Sequence, residues 1–303
     1  MDKLQQDFND KVDSLLIKRG LFPKKKSKGI INAFSLHFKA QAWWHHCIHG
    51  DGIEMLDILS DDSKLISGEQ FNSNFVLPLH DLHQVDLLTN KTWDALHSSI
   101  IRFSGERIGS GEFYLPLVIQ GWTFEKHGGK GDGYVAGGSR EVKSGTASLK
   151  PSANAQHRVI DKLNSTVFGG HRPGPEKENT RSKGHSFDKF VTWLNSQPNK
   201  EQVLLTYFTQ LYPEQNVVGM CHHLAAATTF KEFTNIIGRE VLAWYKEADK
   251  WDSLVIINEK KMIIANICDV TDLENFKDLQ FKWSFYRGGD VRQHADGYVN
   301  ISI

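Results

Sequence analysis

The sequence is poor in cysteine, carries no net charge and contains no long apolar run. Each shortage removes a class of protein. Three scattered cysteines in 303 residues (Cys47, Cys221 and Cys268), with no Cys-x-x-Cys, exclude a disulfide framework and point to a reducing, cytoplasmic setting. Thirty-six basic and 36 acidic side chains cancel, so the whole chain is not a polycation. The longest nearly apolar stretch, Phe113 to Ile119, falls far short of the roughly 20 residues that span a bilayer. The opening Met1-Asp-Lys-Leu-Gln-Gln-Asp-Phe8 is too polar for a signal peptide, and no membrane partner is expected. There is no P-loop, no Gly-x-Ser-x-Gly elbow and no His-Glu-x-x-His.

What is present is a soluble globular composition: 40% hydrophobic, 24% charged and 11% aromatic, enough for a sizeable core. At about 150 residues per domain, the length suits one large domain or two small ones. The zero net charge hides an asymmetry. Residues 1–120 have net charge −2, residues 121–200 have +6, and residues 201–303 have −4. An anionic partner would be drawn to the middle of the chain.

Residues 3–19 read as an amphipathic helix with Leu4, Phe8, Val12, Leu15 and Leu16 on one face, stopped by Gly20 and Pro23. Lys24-Lys-Lys-Ser-Lys28 reads as a solvated linker. Further helices are expected over 30–49 and 91–103, so residues 1–104 form a mostly helical region. From 105 the texture changes to clustered glycines, and a short helix over 111–120 precedes two strands, 132–136 and 139–144, with Gly137-Gly138 at the turn. Residues 168–186 have many breakers and few apolar side chains and read as a mobile loop. Helices follow over 186–196, 200–211 and 230–249, the last with a Thr229–Glu232 capping box. Strands are expected over 253–258, 262–267, 281–286 and 298–303, with a capped helix at Thr271–Glu274.

The residues with the strongest chemical pattern lie on the hairpin. With Gly137-Gly138 as the turn, 134 faces 141 and 132 faces 143, so Asp132, Glu141 and Lys143 share one side of the sheet. Two adjacent carboxylates repel unless a cation sits between them. With oxygen-only ligands the natural cation is Mg²⁺, with Mn²⁺ as a substitute. Such an ion polarises a phosphodiester, and Lys143 beside it can hold the attacking water and offset transition-state charge. Downstream lie Lys150, His157, Arg158 and Lys162; a helix over 155–167 puts Arg158 and Lys162, four apart, on one face, where they suit a phosphate backbone. His45-His46-Cys47 and Cys221-His222-His223 contain zinc-ligand types without the spacing of a zinc site, and packing is the better reading. Gly131-x-Gly133-x-x-Ala136 enters a strand instead of opening a helix, so it is not a dinucleotide site.

Gly131-Asp132 followed by Glu141-Val142-Lys143, with Gly109-Ser-Gly-Glu112 opening a helix about twenty residues before, resembles the PD-(D/E)XK nuclease superfamily. Within it, the pattern is similar to that of nucleases encoded by tailed bacteriophages, which carry a Gly-x-Gly-Glu helix. The resemblance implies Glu112, Asp132 and Glu141 as metal-site carboxylates, Lys143 as the catalytic lysine, and Gln156 as the glutamine of the following helix. It covers about residues 105–165. Gly131 replaces the family's proline, and Pro116 falls inside the helix of Glu112. The expected fold is α+β or α/β, a mixed central sheet flanked by helices, with residues 105–303 as a restriction-endonuclease-like core. The expected function is a phage-encoded DNA endonuclease of the host cytoplasm, with a homodimer among the states allowed. The competing expectation is a non-enzymatic structural or interaction protein, such as one of a virion, on a degenerate nuclease fold.

Overall fold

The first helix, α1 (Lys3–Lys18), buries Phe8, Val12, Leu15 and Leu16, the stripe that 3.6 residues per turn brings to one face. Leu4, expected on that stripe, lies in the first turn and is 55% exposed. Gly20 ends the helix with φ +71°; its N–H reaches Ile17 O at 3.0 Å and the Leu21 N–H reaches Leu16 O at 2.9 Å. The computed structural model describes residues 3–21, 28–82, 93–94, 97–98, 100, 103, 110–123, 131–145, 147–149, 160–171, 173, 187–273, 276–283 and 299–303. Residues 24–27 of the lysine-rich run and residues 174–186 of the expected loop lie outside them.

By packing, the chain forms two compact units. One comprises Met1–Gly145, Asp249–Lys277 and Ile303; the other comprises Thr146–Ala248 and Asp278–Ser302. The change of texture at residue 105 falls inside the first unit. There, α2 (Lys28–His49) and α3 (Gly52–Ser60) pack with α1, and residues 93–94, 97–98 and 100 are helical. Between α3 and that segment, where sequence reading places no element, lie β1 (Ile66–Ser67), β2 (Phe75–Pro78) and short 3-10 turns. Trp93 and Ile100 are buried as expected, and Tyr114 Oη meets His97 Nδ1 at 2.6 Å. Burial, then Asp94, holds the Tyr114 phenol well above its ordinary pKa.

The main sheet has five strands in the order β2, β8 (Ile263–Ile267), β7 (Ser253–Asn258), β5 (Gly138–Ser144), β4 (Gly133–Val135). β5 and β7 are parallel, and their neighbours are antiparallel. A parallel pair needs a long crossover, and the whole second unit except its last strands lies in sequence between β5 and β7. Leu254 to Ile257 are all fully buried, the continuous apolar run of a strand covered on both faces. Helix α4 (Ser110–Val118) runs through Pro116 and ends two residues later, at β3 (Ile119–Gln120), which pairs parallel with β1. A Cβ at Gly111 would lie 2.8 Å from Val142 Cγ1 and 2.9 Å from Ile257 Cδ1, so α4 sits directly on β5 and β7. One core joins Phe8, Phe34, Phe38, Phe71, Phe113, Val142, Val255 and Ile257. Phe34 stacks on Phe113 at 4.7 Å. Each such buried aromatic contributes about 2 kcal/mol, so the N-terminal helices and the sheet stabilise one another.

The second unit holds α5 (Ile160–Thr166), α6 (Phe187–Asn195), α7 (Lys200–Leu211), α8 (Val218–Ala226) and most of α9 (Phe230–Asp249), with β6 (Ala147–Leu149), β10 (Val299–Ser302) and β9 (Gln280–Trp283) as an antiparallel sheet. Phe168 stacks on Tyr207 at 4.2 Å, whose hydroxyl donates to Asn164 at 3.0 Å. The α9 capping box is present: the Glu232 N–H donates to Thr229 Oγ1 at 3.1 Å, and the Thr229 N–H donates to Glu232 at 3.2 Å. α8 and β6 were not expected. Thr271 does not open a helix among the described residues; its N–H and hydroxyl donate to Asp269 in a local turn. The fold is mixed α+β, with a mostly helical N-terminus and a mixed sheet flanked by helices.

The hairpin turns one residue earlier than expected. Gly133 pairs with Arg140, Tyr134 with Ser139 and Val135 with Gly138, leaving Ala136 (φ +49°) and Gly137 (φ +76°) as the turn. Two positive φ values are what a tight two-residue turn demands. Gly138 serves another purpose: a Cβ there would lie 2.8 Å from Arg140 Nη2. Ala136→Asn should therefore raise stability by about 0.5–1 kcal/mol, because asparagine tolerates this conformation better than alanine. Gly137→Ala should lower it by about 1 kcal/mol. Urea denaturation of the two variants checks both signs; a turn at 137–138 would leave position 136 indifferent.

Candidate active site

The shift of the turn changes the sum of each paired couple by two, which preserves face parity along β5. Glu141 and Lys143 point to the same side, and Lys143 Nζ meets Glu141 Oε1 at 2.5 Å. Their side chains are 12% and 28% exposed. Val142, between them, points the other way, toward Gly111 of α4. At Asp132 the chain leaves the ladder. Its N–H donates to Arg140 O at 2.7 Å, and its Oδ2 accepts the Val142 N–H at 3.1 Å. The Asp132 carboxylate thus replaces a backbone partner of β5, and it binds the residue between Glu141 and Lys143.

Arg140 anchors this hairpin from below. It is 1% exposed, on the Val142 side of the strand. Its Nη1 donates to Ser253 Oγ at 3.0 Å; its Nη2 donates to Asn72 Oδ1 at 2.8 Å and to Val135 O at 3.1 Å. The Ser253 hydroxyl donates to Asn266 Oδ1 at 2.6 Å, and the Asn266 amide donates to Phe71 O and Ser73 O. Burial lowers the Arg140 pKa, and Asp252 opposes that. Asp252 itself accepts from the Ser139 N–H at 2.7 Å and hydroxyl at 3.0 Å. Arg140 was not singled out in the sequence, although its parity with Val142 already directs it inward.

The other expected residues fall as follows. Glu112 occupies the first turn of α4, 7% exposed, on the helix that covers the Val142 side of the sheet. Among the described residues, no three His, Cys, Asp or Glu side chains stand close enough to hold one metal ion. Lys150, Gln156 and Arg158 lie outside the described residues. Lys162 is exposed on α5 in the second unit. The structure adds a carboxylate that the sequence did not flag. Asp249, the last residue of α9, interacts electrostatically with both Glu141 and Lys143. Partial desolvation, then Glu141, raises its pKa, and Lys143 works against them.

The donor set is oxygen-only: Asp132 and Glu141, held at neighbouring points of one hairpin. Mg²⁺ is commonly bound through one or two carboxylates plus water and substrate phosphates, so two protein ligands of this kind fit it. The zinc-type clusters do not converge. His45 is buried whereas Cys47 is exposed, and Cys221 is buried on α8 whereas His222 and His223 are exposed. No described helix is long and apolar enough to cross a membrane. No protein-family model matches the chain, and neither a curated protein nor a solved structure matches it.

Removal of the guanidinium would leave the buried Ser253 hydroxyl and the Val135 carbonyl short of a donor, while the exposed Asn72 can turn to water. Arg140→Ala should cost about 3 kcal/mol or more, and Arg140→Lys should recover only part of it, because an ammonium lacks the planar fork. Urea midpoints of the two variants measure this. Burial, with a smaller contribution from Glu201, pushes the Cys221 thiol up to about 12. At pH 8 a thiol reagent should therefore modify the exposed Cys47 and spare Cys221 in the folded protein, read by mass spectrometry of the peptides.

Proposed function

We propose that the protein is a metal-dependent nuclease that hydrolyses phosphodiester bonds of DNA, on a restriction-endonuclease-like core of the PD-(D/E)XK type. The observation that carries this reading is the Glu141–Lys143 pair, joined at 2.5 Å on one face of β5, with the Asp132 carboxylate bound to the amide of the intervening residue. Asp132 and Glu141 would hold the ion; Glu112, which the resemblance adds, stands on the helix over the Val142 side of the sheet. When bound, Mg²⁺, or Mn²⁺ in its place, supplies a polarised phosphate and a water of lowered pKa. Lys143 would hold the attacking water and offset the charge that builds on the phosphate oxygens. Lys150, Gln156, Arg158 and Lys162 would meet the DNA backbone, in the stretch where the chain is most cationic. A phage-encoded endonuclease of the host cytoplasm fits the resemblance and the sparse cysteines.

A second reading is favoured by a specific observation. Lys143 closes on Glu141, and no cluster of three ligand-type side chains forms among the described residues. Both suit a chain that keeps the pattern as an interaction or structural protein without chemistry.

One assay separates the two. Purified protein is incubated with linear, circular and single-stranded DNA, with Mg²⁺, Mn²⁺ or EDTA. The nuclease cleaves DNA only with the cation. Lys143→Ala should lower the rate by about 100-fold or more with the fold intact. Asp132→Ala should lose activity through lost metal binding, and Glu112→Ala should impair it less. Unchanged cleavage in both Lys143→Ala and Asp132→Ala moves the active site elsewhere. No cleavage of any DNA or RNA form by the wild type makes the non-enzymatic reading the better one.

A further inference from the structure

Lys143 holds Oε1 of Glu141, one of the two oxygens of a carboxylate that a divalent cation would share. An ammonium and a doubly charged ion on one carboxylate repel, so loading the site favours movement of the lysine. Lys143 ends a flexible four-carbon stem and is 28% exposed, so rotation is open to it. A carboxylate within reach would hold it beside the site, where solvent alone would not.

The Asp249 carboxylate lies within electrostatic range of this lysine. Its place is set by the backbone. α9 stops at Asp249, and Lys250 turns the chain with φ +54°. The buried Trp251 follows, and then Asp252 is stitched to Ser139 by three hydrogen bonds: its N–H donates to Ser139 O at 2.9 Å, and its carboxylate accepts the Ser139 N–H and hydroxyl. Ser253 then pairs with Arg140 in the parallel ladder. Asp249 is thus carried, three residues before Asp252, toward Ser139 of β5, which stands two positions before Glu141.

We infer that Asp249 is a positioning residue that receives Lys143 when a divalent cation takes Glu141, so that the lysine serves as a switchable counter-charge of the site. The inference rests on the metal-dependent reading above. It also accounts for the ion pair without making the site a degenerate one.

The test is Mn²⁺ binding to the full-length protein, followed by the electron paramagnetic resonance signal of free Mn²⁺, with thermal unfolding as a check of the fold. Asp249→Asn should weaken binding by about tenfold or more, the range for groups that act behind a ligand, and Asp249→Glu should restore it. In a Lys143→Ala background the same Asp249→Asn change should alter affinity by less than about twofold, because no lysine remains to be moved. Equal weakening in both backgrounds would mean that Asp249 attracts the cation directly, and would overturn the inference while leaving the metal reading intact. Wild-type affinity in Asp249→Asn would overturn it as well. No Mn²⁺ binding by either wild type or Lys143→Ala would remove the metal reading, and this inference with it.

Discussion

A guanidinium that is 1% exposed must find its hydrogen bonds inside the protein, and the two terminal nitrogens of Arg140, though not its Nε, find them on three different parts of the first unit. Asn72 comes from the segment before β2, Ser253 begins β7, and Val135 ends β4. An unpaired buried donor costs more than a hydrogen bond returns, so these elements are fixed relative to one another by the need to satisfy one side chain. Ser253 passes the constraint on to Asn266 on β8, and Asn266 passes it to Phe71 and Ser73. Glu141 follows Arg140 directly on β5. The position of the ion pair is therefore inherited from a network buried on the other side of the same strand.

That network also explains the hairpin. Two glycines in a row suggest a turn between them, yet only Gly137 is used for backbone conformation. Gly138 stays small because Arg140 lies against it, and Ala136 takes the first left-handed turn position instead. The turn moves by one residue on each strand, and two such shifts leave the alternation of side chains unchanged. Glu141 and Lys143 share a face in both registers, whereas Asp132 meets its partner differently: it leaves the ladder and caps Val142 through its side chain.

The buried stripe of α1, the capping box of α9 and the inward direction of Val142 could all be read from neighbouring residues. α8 could not. It opens after Val217, which has no capping side chain, and its exposed histidines blur the apolar period. β6 is three residues long, and its pairing to β10 spans about 150 residues of chain, so no local pattern announces it. Thr271 shows the reverse error. A capping-box spacing is only a local option, and the Asp269 carboxylate takes the Thr271 amide and hydroxyl into a turn first.

By itself, the sequence determined which side chains each element turns inward and outward, because helix and strand periods are set by backbone geometry over a few residues. It thereby paired Glu141 with Lys143. Only the tertiary structure decided what stands around that pair. The parallel pairing of β7 with β5, and the Asp252–Ser139 stitch, bring Asp249 to a strand more than a hundred residues earlier in the chain. The packing of Gly111 on Val142 and Ile257 puts the helix of Glu112 over the opposite side of the sheet. Such neighbours depend on strand order and crossover, which are settled by burying one common core and satisfying one buried arginine, and no spacing along the chain encodes them.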